Sequence, residues 1–178
     1  MSSSMIRKLT TLSVLALSLL ATKAAQAEWI MLGAYDFQPY SKTTDYQFSG
    51  GRGGYVASGH PYVRAALRLP EKRRFKSFYC QVLDASAAKD ISITVDELIS
   101  SDSSKTFGAR TVMSLASSGA LGHTKLGTTV VIGNAVSKSW ECIAGDTCYY
   151  HSYFVTVSLP DLTNTNLKSC ALFVEPTP

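Results

Sequence analysis

Beyond residue 27 the 178-residue chain has no apolar run long enough to cross a bilayer as a helix, which takes about 20 residues. Cysteine is sparse: four residues, with no C-x-x-C pair and no Cys/His spacing of the zinc type. A redox dithiol and a structural zinc centre are therefore not expected. The three histidines, His60, His123 and His151, form no H-E-x-x-H or H-x-H pair, and no G-x-S-x-G elbow is present. The glycine stretch Gly50-Gly51-Arg52-Gly53-Gly54 has no Lys-Ser/Thr after it and opens no helical pattern, so it is not a phosphate cradle. These absences point to no cofactor and no metal, and weigh against an enzyme. A site assembled across strands would leave no local motif, so the enzyme question stays open.

What is present starts at the N-terminus. Arg7 and Lys8 precede the apolar run Leu9 to Leu20, and Ala25 and Ala27 stand where a signal peptidase reads small residues. Residues 1–27 read as a secretory signal peptide, which predicts cleavage after Ala27 and a secreted or periplasmic domain over 28–178. Arg7, Lys8 and Lys23 leave with the signal, so 17 basic residues become 14 against 13 acidic ones. The net charge of +4 falls to about +1, and with it any global case for nucleic-acid binding. No transmembrane segment remains after signal removal, and all four cysteines lie in the part that meets an oxidising compartment.

The mature part alternates with a period of two. Phe78, Cys80 and Val82 share one face of a run whose other face carries Tyr79, Gln81 and Leu83. Ile91, Ile93 and Val95 alternate with Ser92, Thr94 and Asp96, and Tyr153, Val155, Val157 and Leu159 with Phe154, Thr156 and Ser158. Such alternation marks strands with one buried face. Strands are expected over 54–58, 63–69, 75–83, 91–99, 110–117, 127–136, 148–159 and 167–174. Turn-forming clusters lie between them. About eight strands at this spacing imply an all-β, antiparallel β-sandwich of the jelly-roll kind. A short helix over 109–120 is the rival local reading, and 28–53 is expected as an irregular N-terminal strap.

Cys142 and Cys148 enclose a five-residue turn and are positioned to close a hairpin. By elimination Cys80 would pair with Cys170, although four cysteines allow three pairings. Trp140, Tyr149 and Tyr150 flank the small ring and are candidate ligand-binding residues, for a glycan or a protein. The plainer reading is that they pack beneath the loop. Lys72, Arg73 and Arg74 form the centre of a basic stretch that could meet an anionic polymer, or could be a solvated turn protecting a strand edge. His151 shares parity with Tyr153 and Val155 and reads as a core or rim residue. Asp96 and Glu97 should point to opposite faces. Asp84 and Asp90 bracket a connection without the dense ligand spacing of a calcium loop.

The order of these features resembles a group of exported bacterial β-sandwich proteins without an established activity. The resemblance runs over about 45–175, through TDYQFSGGRGGYVAS, AALRLPEKRRFKSFYCQVLDAS, ISITVDEL, YYHSYFVTVSLP and LKSCALFVEP. Where that group carries "LP-x-G-A", this chain has Leu69-Pro70-Glu71-Lys72-Arg73. The resemblance implies a sandwich and export. The leading expectation is a non-enzymatic binding or surface-assembly module, with a dispersed-site hydrolase including His151 and Asp146, or a self-associating homo-oligomer, as the alternatives.

Overall fold

The computed structural model describes residues 26–101, 107–119, 122–143, 147–160 and 164–177. The segment read as a signal, apart from Gln26 and Ala27, lies outside them, as does Asp146.

Two antiparallel sheets face each other. Sheet A holds β1 (Glu28–Gly33), β3 (Asp45–Ser49), β4 (Gly53–Ser58), β6 (Arg73–Asp84), β9 (Gly122–Thr128) and β12 (Thr165–Pro176). Sheet B holds β2 (Gln38–Pro39), β5 (Tyr62–Leu67), β7 (Ser92–Ser101), β8 (Phe107–Ala116), β10 (Trp140–Ile143) and β11 (Thr147–Ser158). The strand order is β3-β4-β12-β6-β9 in sheet A and β2-β5-β11-β7-β8 in sheet B. The central four strands of each, 4-12-6-9 and 5-11-7-8, interlock as the two Greek keys of a jelly roll. β1 and β4 share one edge of β12, and β5 and β10 share one edge of β11.

The alternation in the sequence places the core. Phe75, Phe78, Val82, Leu172 and Val174 of sheet A meet Val63, Ile93, Val95, Val155 and Val157 of sheet B, all essentially without solvent exposure. Each such side chain contributes about 1.5–3 kcal/mol on burial. Cys80 and Cys170 face each other across β6 and β12 and are bonded, as are Cys142 and Cys148 across β10 and β11. The expected pairing is therefore the one found. Gly53, at a φ of 96°, lets β4 touch β12, since a Cβ there would fall 2.2 Å from the Leu167 carbonyl oxygen.

Two expectations need correction. The strand read at 127–136 lies at 122–128, and a 3-10 turn occupies Ile132–Asn134. β9 is an edge strand with only Leu126 fully buried, so its pattern is faint, whereas the apolar Val130 and Ile132 stand 69% and 50% exposed in a connection. Residues 28–53 are not irregular: they supply β1, β2 and β3, because the free edges of β12, β5 and β4 offer unpaired backbone groups. The stretch 109–116 is strand, not helix.

Candidate functional site

The outward residues of β11 run Tyr150, Ser152, Phe154 and Thr156, a row about 20 Å long at 3.3 Å per residue. Register sets what stands beside them. Trp140 pairs with Tyr150, so these two share the outer face, 59% and 51% exposed. Ala66, Phe154, Asp96 and Thr111 form one transverse row, and Gln38, Arg64, Thr156 and Thr94 the next. Tyr62 follows on β5, with Tyr40 edge-on to it at 6.4 Å.

This face combines aromatic rings with fixed polar groups. The Arg64 guanidinium lies 4.6 Å from the Tyr40 ring centre and 5.0 Å from that of Phe154, a stacked cation–π arrangement. Its buried Nε has no hydrogen-bond partner. Asp96 accepts hydrogen bonds from the hydroxyls of Thr94 at 2.7 Å, Thr156 at 2.8 Å and Thr111 at 3.0 Å, which hold the carboxylate in one orientation. Depressions of about 360 and 260 Å³ flank Arg64, one beside Gln38 and Phe154, the other beside Tyr62 and Asp96. A third, of about 270 Å³, fills the notch on the edge of β11 between the end of β5 and the start of β10.

Behind the hairpin that carries Trp140, a buried polar cluster holds β11 to β7. Glu97 is fully buried and accepts from the Tyr153 hydroxyl at 2.8 Å, from His151 Nδ1 at 2.7 Å and from Arg110 Nε. Burial pushes the Glu97 carboxyl up, but the hydrogen bonds from Tyr153, His151 and Arg110 outweigh it, and the net shift is downward. An ionised carboxylate only accepts, so the His151 proton sits on Nδ1. His151 Nε2 is buried with no hydrogen-bond partner; its nearest carboxylate oxygen, on Glu141, is 3.5 Å away. The His151 amide also donates to the Ser139 carbonyl at 3.0 Å, which ties the approach to β10 against β11. Glu141 is lowered chiefly by its hydrogen bond from Lys138. Through the His151 amide and the Glu97 carboxylate the cluster ties the hairpin and β7 to β11.

The sequence candidates fall in different places. Trp140 and Tyr150 come together on the outer face of sheet B, while Tyr149 pairs with Glu141 on the opposite side of the hairpin. Lys72, Arg73 and Arg74 stand apart from this face, at the β5–β6 turn. There the Lys72 amide donates to the Ser137 carbonyl and Arg73 Nη1 to the Gln26 carbonyl; Arg74 stands opposite Glu175 in the β6–β12 register, and Glu175 makes its ion pair with Lys76 at 3.0 Å. Asp84 accepts from the Ser86 amide and the Ser117 hydroxyl, a structural use. Among the described residues no group of His, Cys, Asp and Glu could hold a metal ion. Sequence reasoning missed Tyr40, Tyr62, Arg64, Asp96 and Phe154 as a set. The only signal was the parity of each strand, since register alone joins them.

No family model matches the chain, and no curated protein does. Among solved structures it is similar to the C-terminal CBM6 of LamC, a marine laminarinase from Zobellia galactanivorans, at 11% identity and a TM-score of 0.40. That match covers 82% of this chain and 98% of the other. It is similar to a family 6 carbohydrate-binding module at 11% identity and 0.40, over 80% and 92%. It is also similar to the Tobacco streak virus coat protein at 12% and 0.32, over 85% and 87%. The jelly-roll assignment rests on the strand order and not on these likenesses.

Proposed function

We propose that the chain is an exported, non-enzymatic β-sandwich that binds a glycan along the outer face of sheet B. The observation that carries this reading is the single row from Trp140 and Tyr150 through Phe154 to Arg64, Tyr40 and Tyr62. Sugar rings offer apolar faces and a rim of hydroxyls. Rigid aromatic side chains match the faces, and oriented carboxylate and guanidinium groups match the hydroxyls. Strands hold these groups with little ordering left to do on binding, which favours affinity. The disulfide across Cys142 and Cys148 fixes the hairpin that presents Trp140. In this reading Lys72, Arg73 and Arg74 are edge-protecting charges of a turn.

The test is a glycan array probed with the oxidised domain, residues 28–178, followed by calorimetry on the strongest hit. Trp140→Ala and Phe154→Ala should each weaken binding at least tenfold with the melting temperature little changed. A blank array, or hits indifferent to both substitutions, refutes the reading. A defined oligomer with a blank array would favour the self-assembling alternative instead.

A further inference from the structure

We infer that the outer face of sheet A is a separate binding site, for an acidic polysaccharide. This inference concerns the opposite side of the sandwich and does not rest on the sheet B reading. Trp29 on β1 lies against Phe173 on β12, ring centres 4.9 Å apart, and 5.9 Å from Tyr79 on β6. Three neighbouring strands thus contribute one ring each to a common floor. Trp29 is 52% exposed and Met31, two residues on, 65%. The rings border a depression of about 560 Å³, within the size range of ligand sites.

The chain spends local structure on keeping this floor open. The Tyr79 ring occupies the space above Gly127 of β9, where a Cβ would fall 2.4 Å from Tyr79 Cδ1. Any larger residue at 127 would push the ring off its seat. Lys125, two residues earlier on the same edge strand, places its ammonium 4.6 Å from the Tyr79 ring centre. On β12 the register skips Lys168, since Leu167 pairs with Val82 and Ser169 with Gln81. Bulges re-aim side chains, and Lys168 lines a second depression with Gln81, His123, Thr124 and Lys125 that adjoins the first.

Charge decides the class of occupant. No aspartate or glutamate lines either depression, and neither Lys125 nor Lys168 has an ion-pair partner among the described residues. An aromatic floor with uncompensated ammonium groups along one side matches a sugar ring bearing a carboxylate or sulfate. Polar groups within the floor, Ser169 and Gln81, suit hydroxyl partners. The concave shape fits an embedded chain better than a flat bilayer surface, which a protruding apolar tip would reach.

The protein has two tryptophans, so Trp140→Phe leaves Trp29 as the only indole reporter. In that background, polygalacturonate should change the fluorescence at low salt, with affinity falling at least tenfold at 0.3 M salt, while neutral dextran has no effect. Lys125→Gln with Lys168→Gln should weaken the response at least tenfold. Phe154→Ala, on the other face, should leave it unchanged even if glycan binding there fails altogether. The proposal is overturned by no response, by a response indifferent to the lysine substitutions, or by an equal response to dextran. It is also overturned if anionic phosphatidylglycerol vesicles compete better than polygalacturonate, or if sedimentation shows a dimer that dissociates on Trp29→Ala.

Discussion

Replacing Glu97 by leucine should expose how much the buried cluster holds. The carboxylate accepts from Tyr153 and His151, both well inside the protein, and hydrogen bonds to a charged group are worth about 1.5–3 kcal/mol each. Arg110 is half exposed, so its share is discounted to well under about 1 kcal/mol. Leucine leaves the Tyr153 hydroxyl hydrogen and the His151 Nδ1–H buried without acceptors, although the Tyr153 oxygen still accepts from the Lys138 amide at 3.1 Å. The expected loss is about 4 kcal/mol. At a urea slope of about 2 kcal/mol per molar this lowers the midpoint at pH 7 by on the order of 2 M. Glu97→Gln retains one acceptor oxygen and should lose about half as much. The pH dependence fixes the sign. The folded carboxyl titrates below the ordinary glutamate value of about 4.3. Its stabilisation is whole above that value and disappears as pH falls through the lower folded one. Wild type and Glu97→Leu should therefore converge as the medium is acidified below about pH 4. Midpoints equal at pH 7, or a gap that persists undiminished at pH 2, would refute the reasoning.

Lys72 has a φ of 56°, the only non-glycine residue in that region among those described. An L-residue there costs about 1–2 kcal/mol, and glycine does not. Lys72→Gly keeps the backbone bonds to Ser137 and Thr177 and should raise the melting temperature by a few degrees; a lowered one would count against the turn as described. For the disulfides, removal of Cys80–Cys170, 90 residues apart, should cost about 4–5 kcal/mol, and of Cys142–Cys148, six apart, about 2 kcal/mol. Urea titration of the paired alanine variants checks the ranking, and the reverse order would sink the loop-entropy account.

The strands that form the jelly-roll centre were legible because each buries one full face, so Ile93, Val95, Val155 and Val157 imprint a period of two. β9 was not, because an edge strand needs only Leu126 inside. β1 was missed for a related reason: only Leu32 of its six residues is buried, and its place is set by the open edge of β12. The site was legible only where residues adjoin in sequence. Trp140 and Tyr150 flank a visible disulfide ring, whereas Arg64, Asp96 and Phe154 meet through the registers of β5, β11 and β7, which no local pattern encodes. Lys72 illustrates the converse. Its turn is left-handed, at a φ of 56°, yet no glycine stands there to mark it in the sequence.

The pairing of β1 with β12 also has a mechanical side. Glu28 lies opposite Val174, so tension applied at the two ends of the domain pulls across this strand pair and opens it one rung at a time. β12 peels from β6 in the same way, but only as far as Cys170, where the bond to Cys80 stops it. A stretched domain would thus shed β1, and Trp29 with it, while the chain between the two cysteines stays shielded from the load. The sheet A platform would yield first under strain; β5, with Tyr62 and Arg64, precedes Cys80 and would follow, while the part of the sheet B face on β7, β10 and β11 lies in the shielded span.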